Sequence, residues 1–171
     1  MWLAIKIIGF TAIVPGIEAI LIPSLLANGR LCNLIASAHG WYLSGWLPVC
    51  FGLLLYALSV TGFAVRGFGT PAPFDPPKHL VVAGVHAYTR NPMYVGIVSF
   101  VIGLAILCGL WRLFFYGVGL FVFFHVVVRF FEEPVLKRNY GLEYEEYCKS
   151  VPRWEFRTRP YFSEKEARTT D

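Results

Sequence analysis

Charge is what this sequence has least of. Asp, Glu, Lys and Arg make up 15% of its 171 residues, against 56% hydrophobic, where a soluble domain carries roughly 25% charged residues. The shortage is local. Eight charged residues fall between Met1 and Val128, and eighteen between Arg129 and Asp171. Such a chain describes a membrane body with a polar tail, in one domain. A basic stripe is also missing: the tail's nine basic and nine acidic residues cancel, so the net charge of +4 does not point to nucleic acid. Metal-ligand spacing is absent too. Cys32, Cys50, Cys108 and Cys148 stand apart with no CxxC pair and read as packing thiols, and no metal is expected. No secretory signal is expected either. Only Lys6 and the terminal amine precede an apolar run that is too long and lacks a small-residue cleavage site.

What is present is four apolar stretches, each near the roughly 17–25 residues a spanning helix needs. They cover 2–26, with a kink expected at Pro15-Gly16, then 42–65, 92–108 and 111–131. Only Gly109 and Leu110 separate the last two, which predicts a tight hairpin. The expected fold is therefore all-α: a polytopic membrane helical bundle of four transmembrane helices, with short amphipathic helices at 133–139 and 142–150. The segment 67–77, with four prolines, reads as loop, and 157–171 as a polar tail. Basic residues set the orientation. With four spans, Lys6, Arg66, Lys78, Arg90 and the tail fall on one side, and only Arg30 and Arg112 on the other. Both termini are expected in the cytoplasm of a cell whose plasma or endoplasmic reticulum membrane holds the chain.

Two polar clusters interrupt this pattern, at the cytoplasmic ends of the third and fourth spans. Asn91-Pro92 opens a helix: Asn is a favoured N-cap and Pro suits the first helical position. The helix end behind them attracts anions, and Tyr88, Arg90 and Tyr94 add aromatic faces and a fixed positive charge. On the fourth span, His125, Arg129, Glu132 and Glu133 stand at i, i+4, i+7 and i+8, which predicts one shared helix face. Adjacent acids beside an imidazole suit proton handling. A water-exposed pocket between these clusters would join a polar cofactor to a lipid-dissolved acceptor.

The residues GVHAYTRNPMYVG at 84–96, then Glu132-Glu133 with Leu136, Gly141, Tyr144, Tyr147 and Val151-Pro152-Arg153, resemble the integral-membrane methyltransferases. These are the isoprenylcysteine carboxyl methyltransferases and the related phospholipid N-methyltransferases. The likeness spans 78–154, the expected cofactor region, while 1–65 match only in character. It implies S-adenosylmethionine as methyl donor, held without a Rossmann sheet. By position, cofactor contacts fall on Lys78, His79, Leu80 and Val81, on His86, and on Asn91, Pro92, Met93 and Tyr94, with Glu132 in the active-site region. Three positions depart from the prenylcysteine enzymes: Asn91 replaces His, His86 replaces Tyr, and Val128 stands where they carry a substrate-orienting Arg.

The expected activity is methyl transfer from S-adenosylmethionine to a lipophilic acceptor drawn from the bilayer. That acceptor is a prenylcysteine-like carboxylate, a phospholipid amine or a thiol. An amine would need a base, for which Glu132, Glu133 and His125 are candidates. Two readings of other classes stay open: a nicotinamide-dependent membrane reductase and a non-catalytic membrane scaffold.

Overall fold

The computed structural model describes residues 15–67 and 80–162. The first half of the expected first span, most of the Pro-rich loop with Lys78 and His79, and the end of the tail lie outside these residues. Among the described residues every regular element is helical.

The elements are α1 (Ile17–Leu26), α2 (Leu31–Ala36), α3 (Gly40–Val65), α4 (Pro92–Cys108), α5 (Trp111–Tyr140) and α6 (Leu142–Ser150). Helices α3 and α5 are long and apolar enough to cross a membrane. Helix α4, with 17 residues, is about 25 Å long at 1.5 Å per residue. Its ends have clear causes. Pro92 occupies the first helical position, and Gly109 adopts φ +61° just past Cys108. There Gly109 N donates to Ile106 O and Leu110 N to Ala105 O, each at 3.1 Å, closing the helix as a left-handed glycine does. Two residues then suffice to turn the chain into α5.

Helix α4 is the hub. Against α3 it packs backbone to backbone. A Cβ on Gly45 would lie 2.6 Å from Gly103 O, and one on Gly96 would lie 2.8 Å from Gly52 O. Gly45 meets Gly103 and Gly52 meets Gly96, so the helices run antiparallel with a small residue every two turns, as membrane helices do to approach closely. Against α5 it buries side chains. Val101 and Leu113 are fully buried, and Ile97, Leu120 and Phe124 nearly so. The outer faces stay apolar: Leu47 and Trp111 are each 75% exposed, a surface suited to lipid. A separate small core of Val82, Tyr144, Tyr147 and Val151 joins α6 to the segment before α4.

Three details differ from expectation. The short helix α2 fills a stretch expected to be a connection, with Leu31 buried in the core beside Leu104 and Leu113. Helix α5 does not break at residue 132. It continues to Tyr140 through a π-helical turn at Val128–Glu132, because Pro134 falls in the first turn of the next α-helical stretch, where its missing N–H costs little. Finally, residues 151–162 form a non-helical strap. It pairs with the chain before α4 through Arg90 N to Pro152 O, Arg157 N to Tyr88 O and Tyr161 N to Ala87 O, each 3.0 Å.

Candidate active site

Between the start of α4 and the π turns of α3 and α5, a cavity of about 720 Å³ opens. The start of α4 supplies Asn91, Pro92, Met93 and Tyr94, with Arg90 just before it. Leu80, Val81 and His86 come from the segment leading there, and Glu132 and Glu133 from the π turn of α5 and the residue after it. Tyr144 and Tyr147 of α6 close one side, and Phe63 of the π turn ending α3 another.

Most candidate residues thus meet, and three do not. Tyr88 turns its carbonyl to the strap, accepting from Arg157 N, and is not a lining residue. Arg129 has its side chain 58% exposed and reaches Glu133 Oε2 only at 3.5 Å. His125 faces elsewhere: its Nδ1 accepts the Trp154 indole N–H at 3.1 Å, beside Phe121. The π turn explains the loss of the single face predicted for His125, Arg129, Glu132 and Glu133. One extra residue in a turn slips the register by about 100°, so the acids swing away from His125.

The two acids have unequal surroundings. Glu133 is gripped from several sides. Arg153 donates Nε to Oε1 at 2.7 Å and Nη2 to Oε2 at 2.9 Å, and Arg90 donates Nη1 to Oε1 at 3.0 Å. Glu132 pairs with no cation among the described residues; its Oε1 accepts the Tyr94 hydroxyl. Tyr94 in turn stacks at a tilt on Phe124, centroids 4.4 Å apart. The Glu133 carboxylate beside Arg153 raises the pKa of that guanidinium further. Burial pushes the Tyr147 phenol above its ordinary range, so it stays a neutral donor to His86 O at 2.6 Å.

Asn91 caps α4 by position, but not with its side chain. Its Nδ2 donates instead to Arg153 O at 3.1 Å, since the strap presents a carbonyl there. The Asn91 side chain therefore does not take up the first-turn amides of Met93 and Tyr94, which belong to two lining residues. Arg90 Nε is likewise buried with no hydrogen-bond partner. These donors, an acid and aromatic rings around a cavity of ligand size fit a ligand with an anionic end and a cationic centre. Among the described residues no three His, Cys, Asp or Glu side chains group as metal ligands.

Sequence reasoning named Arg153 only among the residues that carry the resemblance, with no site role, and read Cys148 as a packing thiol. Cys148 Sγ accepts from Arg90 Nη1 at 2.7 Å, and Arg153 ties Glu133 to the strap. Neither carries a periodic signal, since each stands in a charge-balanced stretch far from its partner in sequence.

Comparison with known families decides the lineage. A family model described as phospholipid methyltransferase matches residues 41–143, from the start of α3 into α6. The chain belongs to the phospholipid methyltransferase family. Neither the curated proteins nor the solved structures returned a match. The family match covers Tyr94, Glu132 and Glu133 but stops before Arg153 and the strap. Membership in this family makes the protein methyltransferase-like in class, with a lipid-related substrate, and the apolar helices accord with a membrane location.

Proposed function

We propose that the protein methylates an amine-bearing lipid, using S-adenosylmethionine, at the cytoplasmic end of a four-span body with both termini in the cytoplasm. The observation that carries this reading is the inequality of the acids. Among the described residues Arg90 is the guanidinium that lines the cavity, and its Nη1 is already held by Glu133 and Cys148. Arg153 is engaged by Glu133 and Arg129 is exposed, so a carboxylate acceptor meets a cation that is already paired. Glu132 would repel a carboxylate and attract an ammonium. The amine reading therefore has better support than the prenylcysteine-like carboxylate.

The cofactor's residues would be those of the α4 start. The Met93 and Tyr94 amides and Arg90 Nε suit its carboxylate and hydroxyls, while Leu80, Val81 and His86 form the wall. When bound, S-adenosylmethionine supplies a methyl group on a sulfonium, open to in-line displacement. The chain's own work is alignment and proton removal. Tyr94 holds Oε1 of Glu132, leaving Oε2 to take the proton that an ammonium must shed before its lone pair can attack. The Tyr94 ring offers a face to positive charge. On the lipid side, Phe123, Val127, Phe131 and Val135 recur every fourth residue along α5 and line the cavity. Phe123, Phe131 and Val135 are also exposed, so acyl chains have an apolar way in from the bilayer.

The test is methyl transfer from labelled S-adenosylmethionine by the purified protein in nanodiscs. Acceptors would be an aminophospholipid and a farnesylcysteine, with adenosylhomocysteine binding measured by calorimetry. Labelling of the amine lipid alone supports the proposal. Labelling of the farnesylcysteine alone returns the carboxylate reading, and no binding of adenosylhomocysteine removes the methyltransferase mechanism.

A further inference from the structure

Arg153 lies beyond the stretch that the family match covers and is not itself a lining residue of the cavity. Yet it meets both halves of the site. Its guanidinium holds Glu133 at two points, 2.7 and 2.9 Å, a fork that fixes the plane of the carboxylate as well as its charge. Its backbone carbonyl accepts Asn91 Nδ2 at 3.1 Å and the Thr89 hydroxyl at 3.3 Å. Those two residues flank Arg90, which donates to the same Glu133 oxygen. The side chain of Glu133 is 12% exposed, so a loss of its cations would leave a poorly hydrated charge next to Glu132.

Resting on the amine reading above, we propose that Arg153 is a positioning residue that keeps the two acids unequal. It ties Glu133 into the strap, so that an incoming ammonium is drawn to Glu132 alone and the Arg90–Asn91 corner stays in place. It acts through Glu133 and does not touch the acceptor. Without it, Glu133 keeps only Arg90 on Oε1 and the longer contact to Arg129 on Oε2. Its carboxylate then loses the fork that fixes its plane, and it competes with Glu132 for the amine from a position badly placed to take its proton.

The experiment is a double-variant cycle in nanodiscs: Arg153→Gln, Glu133→Gln and both together. Readouts are kcat and KM for an aminophospholipid and adenosylhomocysteine affinity by calorimetry. Arg153→Gln should lower kcat/KM by about tenfold or more while cofactor affinity stays within about threefold, because the carbonyl that holds Asn91 remains. The double variant should regain about tenfold over Arg153→Gln, within the coupling expected inside one ion-pair network. Arg153→Lys keeps the charge without the fork, and serves if the Gln variant does not accumulate. A lowered kcat at unchanged melting temperature supports the proposal, whereas wild-type kcat in the Lys variant overturns it. A folded double variant with no recovery makes Arg153 a structural brace and also overturns it. The amine reading fails separately, through a wild-type protein that leaves aminophospholipid unmethylated.

Discussion

The two ends of the α3–α4 pair differ in kind. Around Gly45–Gly103 and Gly52–Gly96 the backbones touch, and a single Cβ would have to displace a peptide group. Further along, α3 runs into a π turn at Phe63–Gly67, beside a cavity with Phe63 and His86 in its wall. Helix α5 repeats the contrast. Leu113 and Leu120 are buried against α4, while its π turn and the residue after it deliver Glu132 and Glu133 to the cavity. A regular, close-packed end gives no room for a ligand but fixes how the helices sit against one another. An irregular end costs packing and creates the space in which chemistry is possible. Rigidity at one end is what lets polar groups at the other keep their positions.

Four substitutions would break or sharpen this contrast, beginning with the largest effect. Glu132→Gln should cut turnover by about 10²–10⁴-fold, the range for loss of a general base, with little change in folded yield. A parallel loss of folded protein would instead make Glu132 part of the packed end. Gly103→Val should do the opposite. Its Cβ would stand 2.7 Å from Gly45 O and from Val49 N, so the helices must part, at about 3 kcal/mol or more. Thermal unfolding in detergent would register this as a markedly lower midpoint. Tyr94→Ala should weaken S-adenosylmethionine affinity by about 0.5–2 kcal/mol, and that of adenosylhomocysteine, which has no sulfonium charge, by less, read by calorimetry; unchanged affinity for both would take the ring out of the cofactor site. Smallest is Gly119→Ala, on the face of α5 where a Cβ would meet nothing within 4 Å. It should stabilise by up to about 1 kcal/mol through helix propensity alone, and a loss in the same unfolding experiment would reveal an unseen neighbour.

Much of the regular end was legible in sequence. Pro92 and Gly109 bracket α4 because each residue's backbone chemistry is local, and the Gly109-Leu110 link follows from the same reasoning. The irregular end was legible in composition but not in geometry. Asn91, Tyr94, Glu132 and Glu133 stood out as polar groups in an apolar run, and the structure places them around one cavity. That His125 and Arg129 point elsewhere could not be read, because spacing arguments assume one helical period and the π turn at Val128–Glu132 changes it. Arg153 could not be read for another reason. Its bond to Glu133 joins residues 20 apart across a turn and a second helix, and no periodicity links them. Helix α2 was missed since six residues, Leu31–Ala36, are too few to show a period.

The strap has a consequence for how the protein is made. Glu133 leaves the ribosome 20 residues ahead of Arg153, about 1–4 s at ordinary elongation rates. During that interval the glycine seam between α3 and α4 can close. The acid then still lacks its two-point partner, and the head of α4 lacks the carbonyl that anchors Asn91. On the proposed reading, the helices are therefore packed before the site is complete, and docking of the strap is the last step of its assembly.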